Sequence, residues 1–145
     1  MKVLLDTNIL LRLRATQAPE HTDVVRAVSA LLTRGDELMI AAQVLVEFWV
    51  VATRPVGVNG FGWTVTQTHA AILSFREQFA LLEDTPAVLT HWMVLVVSNG
   101  VQGKRAHDAR LAATMLAHGI STVLTLNPKD FDDFHEIAVL RPCDL

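Results

Sequence analysis

The sequence predicts an α/β fold, and three observations carry that prediction. Short apolar runs alternate with longer segments whose apolar residues recur at helical spacing, and glycine or proline closes most of the helical segments. Such alternation is the pattern of a mainly parallel sheet covered on both faces. Composition agrees: 51% of the 145 residues are hydrophobic and 19% are charged, which excludes a disordered chain and fits a single domain spanning residues 1–145.

Lys2 to Leu5 is a short apolar run ending at Asp6-Thr7-Asn8, the pattern of a buried strand that meets a helix start. Ile9 to Arg14 supplies a helical turn or two. Thr22 to Arg34 places Val24, Val25, Val28, Leu31 and Leu32 on one helical stripe, and Gly35 stops it. Leu38 to Ala41 is a second strand. Gln43 to Thr53 is rich in valine, yet it is too long and continuous for one strand and reads as a buried helix closed by Arg54-Pro55.

Pro55 to Gly62, PVGVNGFG, is a surface loop. Thr66 to Phe79 is a helix with Ile72, Leu73, Phe75 and Phe79 along it, and Leu81-Leu82 is a brief strand. Pro86 to Asn99 has proline at its start and Gly100 beyond its end, the helix asymmetry. His107 to His118 is an alanine-rich helix closed by Gly119. Thr122 to Leu126 is a strand, Pro128 to Phe131 a helical turn, and Ile137 to Leu140 the last strand.

A net charge of -3 excludes a protein that holds nucleic acid by overall charge, because phosphate binding of that kind needs many basic contacts. The single cysteine, Cys143, has no partner within the chain and fits a reducing cytoplasmic setting. MKVLLDTN has neither the apolar region nor the cleavage site of a signal peptide. Val44 to Ala52 and Met93 to Val97 are apolar, but both fall short of the ~18–20 residues of a membrane span. No Walker loop or dinucleotide glycine fingerprint is present, and the histidines and Cys143 lack zinc-ligand spacing.

In parallel sheets, ligands gather at the carboxyl ends of the strands. Asp6 stands at one such end and Asp130 just after another; Asp108 opens a helix, and Glu47 sits amid apolar neighbours. Each acid alone has an ordinary explanation. Asp6 suits a helix N-cap, Asp108 opposes a helix dipole, and Asp130 belongs to an acidic turn with Asp132, Asp133 and Glu136. Glu47 is the most telling, since an unpaired buried carboxylate is costly.

Together the four could converge, where a pair ~4 Å apart repels by about 4 kcal/mol at an effective dielectric of ~20. A hard divalent cation such as Mg²⁺ or Mn²⁺ relieves that repulsion. Such a cation can also deliver water to a phosphodiester, which is nuclease chemistry.

The ordered set of segments resembles the PIN-domain ribonuclease family, and most the VapC-type toxins of bacterial toxin–antitoxin pairs. The matching residues are the strand into Asp6, Thr7 and Asn8; the apolar helix with Glu47; GKRAHDARLAA with Asp108; and TLNPKDF with Thr125, Asn127, Asp130 and Phe131. Thr53 to Gly62 also resembles a loop of one branch. The resemblance implies a PIN-like three-layer α/β/α sandwich. It implies that Asp6, Glu47 and Asp108 bind metal, with Asp130 as the fourth acid. Asn127 stands where some members carry an acid. Thr7 and Asn8 are expected to order Asp6 by hydrogen bonds, and Thr125 to do the same or hold a water.

The expected activity is a Mg²⁺- or Mn²⁺-dependent endoribonuclease. Lys104, Arg105, Arg110, Arg12 and Arg14 are candidate contacts to the RNA backbone, with ordinary surface charge as their alternative reading. Trp63 is the candidate for base stacking, whereas Trp49 and Trp92 read as core, and His107 reads as a cap or surface residue. The expected partners are RNA, a cognate antitoxin and a second copy of the chain meeting through apolar helix surface. Two alternatives remain. One is a catalytically silent binding module of the same fold; the other is a phosphohydrolase with Asp6 as nucleophile, against which DTN lacks a second acid two residues on.

Overall fold

Five parallel strands form the centre of the computed structural model, which describes residues 1–145. In chain order the elements are β1 (Lys2–Leu5), α1 (Thr7–Arg14), α2 (His21–Arg34), β2 (Glu37–Ala41), α3 (Ala42–Thr53), α4 (Val65–Gln78), β3 (Ala80–Leu82), α5 (Pro86–Ser98), α6 (Arg105–Ala117), β4 (Thr122–Leu124) and β5 (Ala138–Leu140). Short 3-10 turns occupy Val56–Val58, Pro128–Phe131 and Pro142–Asp144. The strand order is β3-β2-β1-β4-β5, with Val3 opposite Leu38 on one side and Thr122 on the other.

Val3, Leu4 and Leu5 are all fully buried. Successive strand side chains point to opposite faces, so burial without alternation means that both faces of the sheet are covered. The fold is the α/β/α sandwich expected from the sequence. Chain direction along the sheet reverses between β1 and β4: β2 and β3 were added on one side of β1, and β4 and β5 on the other. Ligand sites in such sheets lie beyond the carboxyl ends of the strands at that switch.

The valine-rich segment is helical as expected. Helical burial of Val44, Phe48 and Ala52 outweighs the strand preference of its β-branched residues. It ends where Arg54, ahead of Pro55, turns extended. Three boundaries differ from expectation by two residues. α1 starts at Thr7 rather than Ile9, because the Asp6 carboxylate caps it. α6 starts at Arg105 rather than His107, which puts Asp108 inside its first turn. Regular pairing of β4 stops at Leu124 rather than Leu126, because the Thr125 hydroxyl accepts from the Asn127 N–H and bends the chain there.

The glycine-rich loop folds back on α3. Phe61 and Trp63 donate their backbone N–H groups to the carbonyls of Val51 and Ala52, satisfying acceptors that a helix end leaves free. Gly62 donates to the Arg54 carbonyl, and Arg54 Nη2 donates to that of Asn59. The Trp63 ring then packs 5.2 Å from Phe61 and 6.1 Å from Phe48. The folded loop thus turns one side of the Trp63 ring, the candidate for base stacking, onto the aromatic core and leaves the ring half-buried. Trp92 is also structural, since its Nε1 donates to the Ala106 carbonyl at 2.9 Å.

Candidate metal-binding carboxylate site

The site begins where β1 ends. Asp6 donates its backbone N–H to the Leu124 carbonyl, so the ends of β1 and β4 are held side by side at the switch point. The Asp6 side chain is almost wholly buried and fully engaged. Its Oδ1 accepts from the Thr7 N–H at 2.7 Å; its Oδ2 accepts from Thr125 Oγ1 at 2.7 Å and from Asn8 Nδ2 at 3.1 Å. Asn8 also accepts the Leu126 N–H on its Oδ1, which ties α1 to the chain leaving β4. Asn8 and Thr125 therefore both donate to the same oxygen of Asp6.

Thr7 does so only through its backbone. Its hydroxyl donates instead to Glu47 Oε2 at 2.7 Å, because α3 passes beside the start of α1. Glu47 is half-buried, and its other oxygen accepts from Gln43 Nε2 at 2.9 Å, one helical turn earlier. Asp108, in the first turn of α6, is half-buried and receives no side-chain or backbone hydrogen bond, which leaves its carboxylate free for a ligand. Asp130 lies in the turn after β4, and its Oδ1 accepts from Asn127 Nδ2 at 2.8 Å. Asn127 thus orients the fourth acid.

The electrostatics show that the four carboxylates share one neighbourhood. Burial raises the Asp6 pKa above the ordinary carboxylate value; the bonds from Thr125 and Thr7 counter it, and the charges of Glu47 and Asp130 push it higher. Burial also pushes Asp108 up to about 6; Asp130 adds to the rise, Arg105 opposes it, and Asp6 and Glu47 add further. Acids from four separate segments feel one another with little cationic relief. No three acidic or histidine side chains already close around a point as a finished cage. All the donors are oxygens, and their mutual repulsion suits a hard cation that keeps several of its waters.

The basic residues do not line this site as a free phosphate-binding set. Arg12 reaches Glu20 at 3.3 Å, Arg105 reaches Asp133 at 2.9 Å, and Arg110 reaches Asp84 at 3.1 Å. Arg14 lies over the Phe75 ring, 5.0 Å from its centroid. Of the five candidates, Lys104 alone is exposed without an ion pair. Acids brought near by the fold pair with three of the others, and Arg14 lies on an aromatic ring. His107 is exposed, and its carbonyl rather than its ring takes part, accepting from Gln43 Nε2.

One residue here, Asp84, escaped the sequence reading, and the part played by another, Gln43, was not specified by it. Asp84 follows β3 at the same edge of the sheet, a position the strand-end rule could have marked. Gln43 stands four residues before Glu47, the spacing of neighbours on a helix face. Beside Glu47 lies a cleft of about 480 Å³ bounded by Gln43, Asp84, His107 and Arg110. It adjoins a second of about 370 Å³ that reaches Trp92 and Leu89, and both clefts share Asp84 and Arg110.

Comparison with known proteins agrees with this fold. Residues 3–138 match the model of the PIN domain. The chain is 31% identical over 144 residues to Ribonuclease VapC24 of Mycobacterium tuberculosis, covering 95% of this chain and 94% of that protein. Among solved structures, VapBC-1 from nontypeable Haemophilus influenzae superposes with a TM-score of 0.71 at 18% identity, covering 99% of each chain. VapBC2 from Rickettsia felis, bound to a DNA fragment from its promoter, gives 0.70 at 17% identity, covering 97% of this chain and 98% of that one. With acids from β1, α3, α6 and the turn after β4 gathered at the switch point, and with a VapC protein as a full-length relative, the chain belongs to the PIN-domain family.

Proposed function

We propose that the protein is a Mg²⁺- or Mn²⁺-dependent endoribonuclease and the toxin of a toxin–antitoxin pair. The observation that carries the reading is the shared field of Asp6, Glu47, Asp108 and Asp130, two of which are raised in pKa partly by the others. A relative named as a ribonuclease, matched end to end, points the same way.

A divalent cation bound here would supply an activated water and stabilise charge on the departing oxygen of an RNA phosphodiester. Asp6 is the anchor of the set. It is held on both oxygens, so it meets a ligand without reorganising. Thr7 and Gln43 fix Glu47 from its two sides. Asp108, unbonded in the free protein, is the acid most open to exchange protons or ligands with solvent. Lys104, just before α6, and Lys129, beside Asp130, are exposed and can meet phosphate without first giving up an ion-pair partner.

The test is cleavage of RNA in Mg²⁺ or Mn²⁺ by the wild type, Asp6→Asn and Asp108→Asn. Activity only in the wild type is expected, and equal activity in all three sinks the assignment. The silent binding module is the competing reading, and it requires no cation. Calorimetry that shows Mn²⁺ binding abolished by Glu47→Gln counts against it.

The same reading extends to partners. Val46 and Val50 of α3 and Leu89, Met93, Val94 and Val97 of α5 are exposed, and such apolar helix surface suits a second copy of the chain. The solved neighbours are VapBC complexes, which supports a cognate antitoxin here as well. No helix is long and apolar enough to cross a membrane. A cytoplasmic site of action follows from the RNA substrate and the unpaired Cys143.

A further inference from the structure

We propose that Gln43 is a positioning residue for the acidic site: its amide holds the Glu47 carboxylate and sets the spacing between the two helices that carry Glu47 and Asp108. The inference rests on the metal-dependent nuclease reading of those acids.

Gln43 Nε2 donates at 2.9 Å to Glu47 Oε1 within α3 and at 2.8 Å to the backbone carbonyl of His107 in α6. His107 is the residue before Asp108. One amide nitrogen therefore joins the side chain of one acid to the backbone that carries another. The backbones of α3 and α6 make few close approaches to one another, so this side chain is a direct bridge between them. On the other end of the amide, Gln43 Oε1 accepts from Arg110 Nη1 at 3.0 Å, while Arg110 Nη2 pairs with Asp84 at 3.1 Å.

The orientation of the amide is thereby fixed by three partners at once. Turning it over would set its oxygen against a carboxylate and a carbonyl, and its NH₂ against a guanidinium that only donates. A carboxylate at this position has the same length but no hydrogen to offer Glu47. An aliphatic side chain has neither donor nor acceptor. The chemistry selects glutamine. With Thr7 on Oε2 and Gln43 on Oε1, Glu47 cannot swing toward solvent, and its approach to a cation is set before the cation arrives.

Groups that orient metal-binding side chains from behind typically contribute about 10- to 100-fold to metal affinity or activity. Gln43→Leu and Gln43→Glu are therefore expected to weaken Mn²⁺ binding in calorimetry by about that factor. The kcat for RNA cleavage should fall, KM for RNA should hold, and the melting temperature of the metal-free protein should change little. Arg110→Met should weaken Mn²⁺ binding less, because the amide keeps both of its acceptors. The two outcomes that overturn the inference are distinct. A wild type that binds no Mn²⁺ removes the nuclease reading and this role with it. A wild type that binds Mn²⁺ with an affinity matched by Gln43→Leu removes the role of Gln43 alone.

Discussion

Thr125 donates its hydroxyl to Asp6 Oδ2 at 2.7 Å, joining the residue after β4 to the residue after β1. Thr125 Oγ1 in turn accepts from Asn8 Nδ2 and from the Asn127 N–H. One buried hydroxyl thus fixes the central acid, the start of α1 and the turn that presents Asp130.

Thr125→Val keeps the shape and removes that centre. Leaving buried partners unsatisfied costs about 1–3 kcal/mol, to be read as a lower unfolding midpoint. The hydroxyl also holds the Asp6 pKa down, so its loss raises that pKa further. The acidic limb of the cleavage rate against pH should move to higher pH, and an unmoved limb would show that Asp6 does not need its charge for activity.

Asp108→Asn should stabilise the empty protein at neutral pH. Folding raises the Asp108 pKa from 3.8 to about 6, so the fold favours the protonated form. Its favourable contribution is complete below the ordinary value and is lost as pH rises toward 6. The variant carries no such loss. Melting of the metal-free proteins should show its advantage growing from pH 4 to 6 and level above that; an advantage that shrinks with pH would contradict the assignment.

Mn²⁺ should raise the melting temperature of the wild type, since a ligand that binds only the folded state stabilises it by about 2.7 kcal/mol at a hundred times its Kd. Chelator should reverse the shift. Asp6→Asn should show little of it, and an equal shift in that variant would place the cation elsewhere.

Gly60→Ala should weaken the loop that closes α3. A Cβ there would lie 1.9 Å from the Arg54 carbonyl oxygen, which is backbone and cannot rotate away. Gly57 is the control, because a Cβ there meets nothing within 4 Å. A fall in melting temperature of several degrees for Gly60→Ala and almost none for Gly57→Ala is expected.

Self-association should fail when the exposed face of α5 is charged. Val97 is 75% exposed and Met93 49%. Light scattering is expected to show a dimer for the wild type and a monomer for Met93→Glu combined with Val97→Glu. A monomeric wild type at high micromolar concentration removes the dimer from the reading.

The fold was legible because its signals are local. Apolar runs such as Val3 to Leu5, the proline at position 86 and the glycines at 35 and 119 act within a few residues, and each marks an element the structure contains. The acids were legible as an ordered set. Their supports were less so, because a side chain's partner depends on which elements meet in space. Thr7 sits beside Asp6 in sequence, yet its hydroxyl serves Glu47, forty residues away. Arg12, Arg105 and Arg110 read as free cations until the fold brings Glu20, Asp133 and Asp84 to them.

Asp6 serves as both the N-cap of α1 and the central acid, through one carboxylate. The choice of an inactivating replacement is therefore not neutral for anyone seeking a complex with uncut RNA. Alanine removes the cap as well as the charge and costs about 1 kcal/mol of helix stability. Asparagine keeps an oxygen for the Thr7 N–H and gives up the ionised group together with the acceptor that Thr125 and Asn8 share, so it is the substitution that should yield an inert protein with the cap of α1 intact.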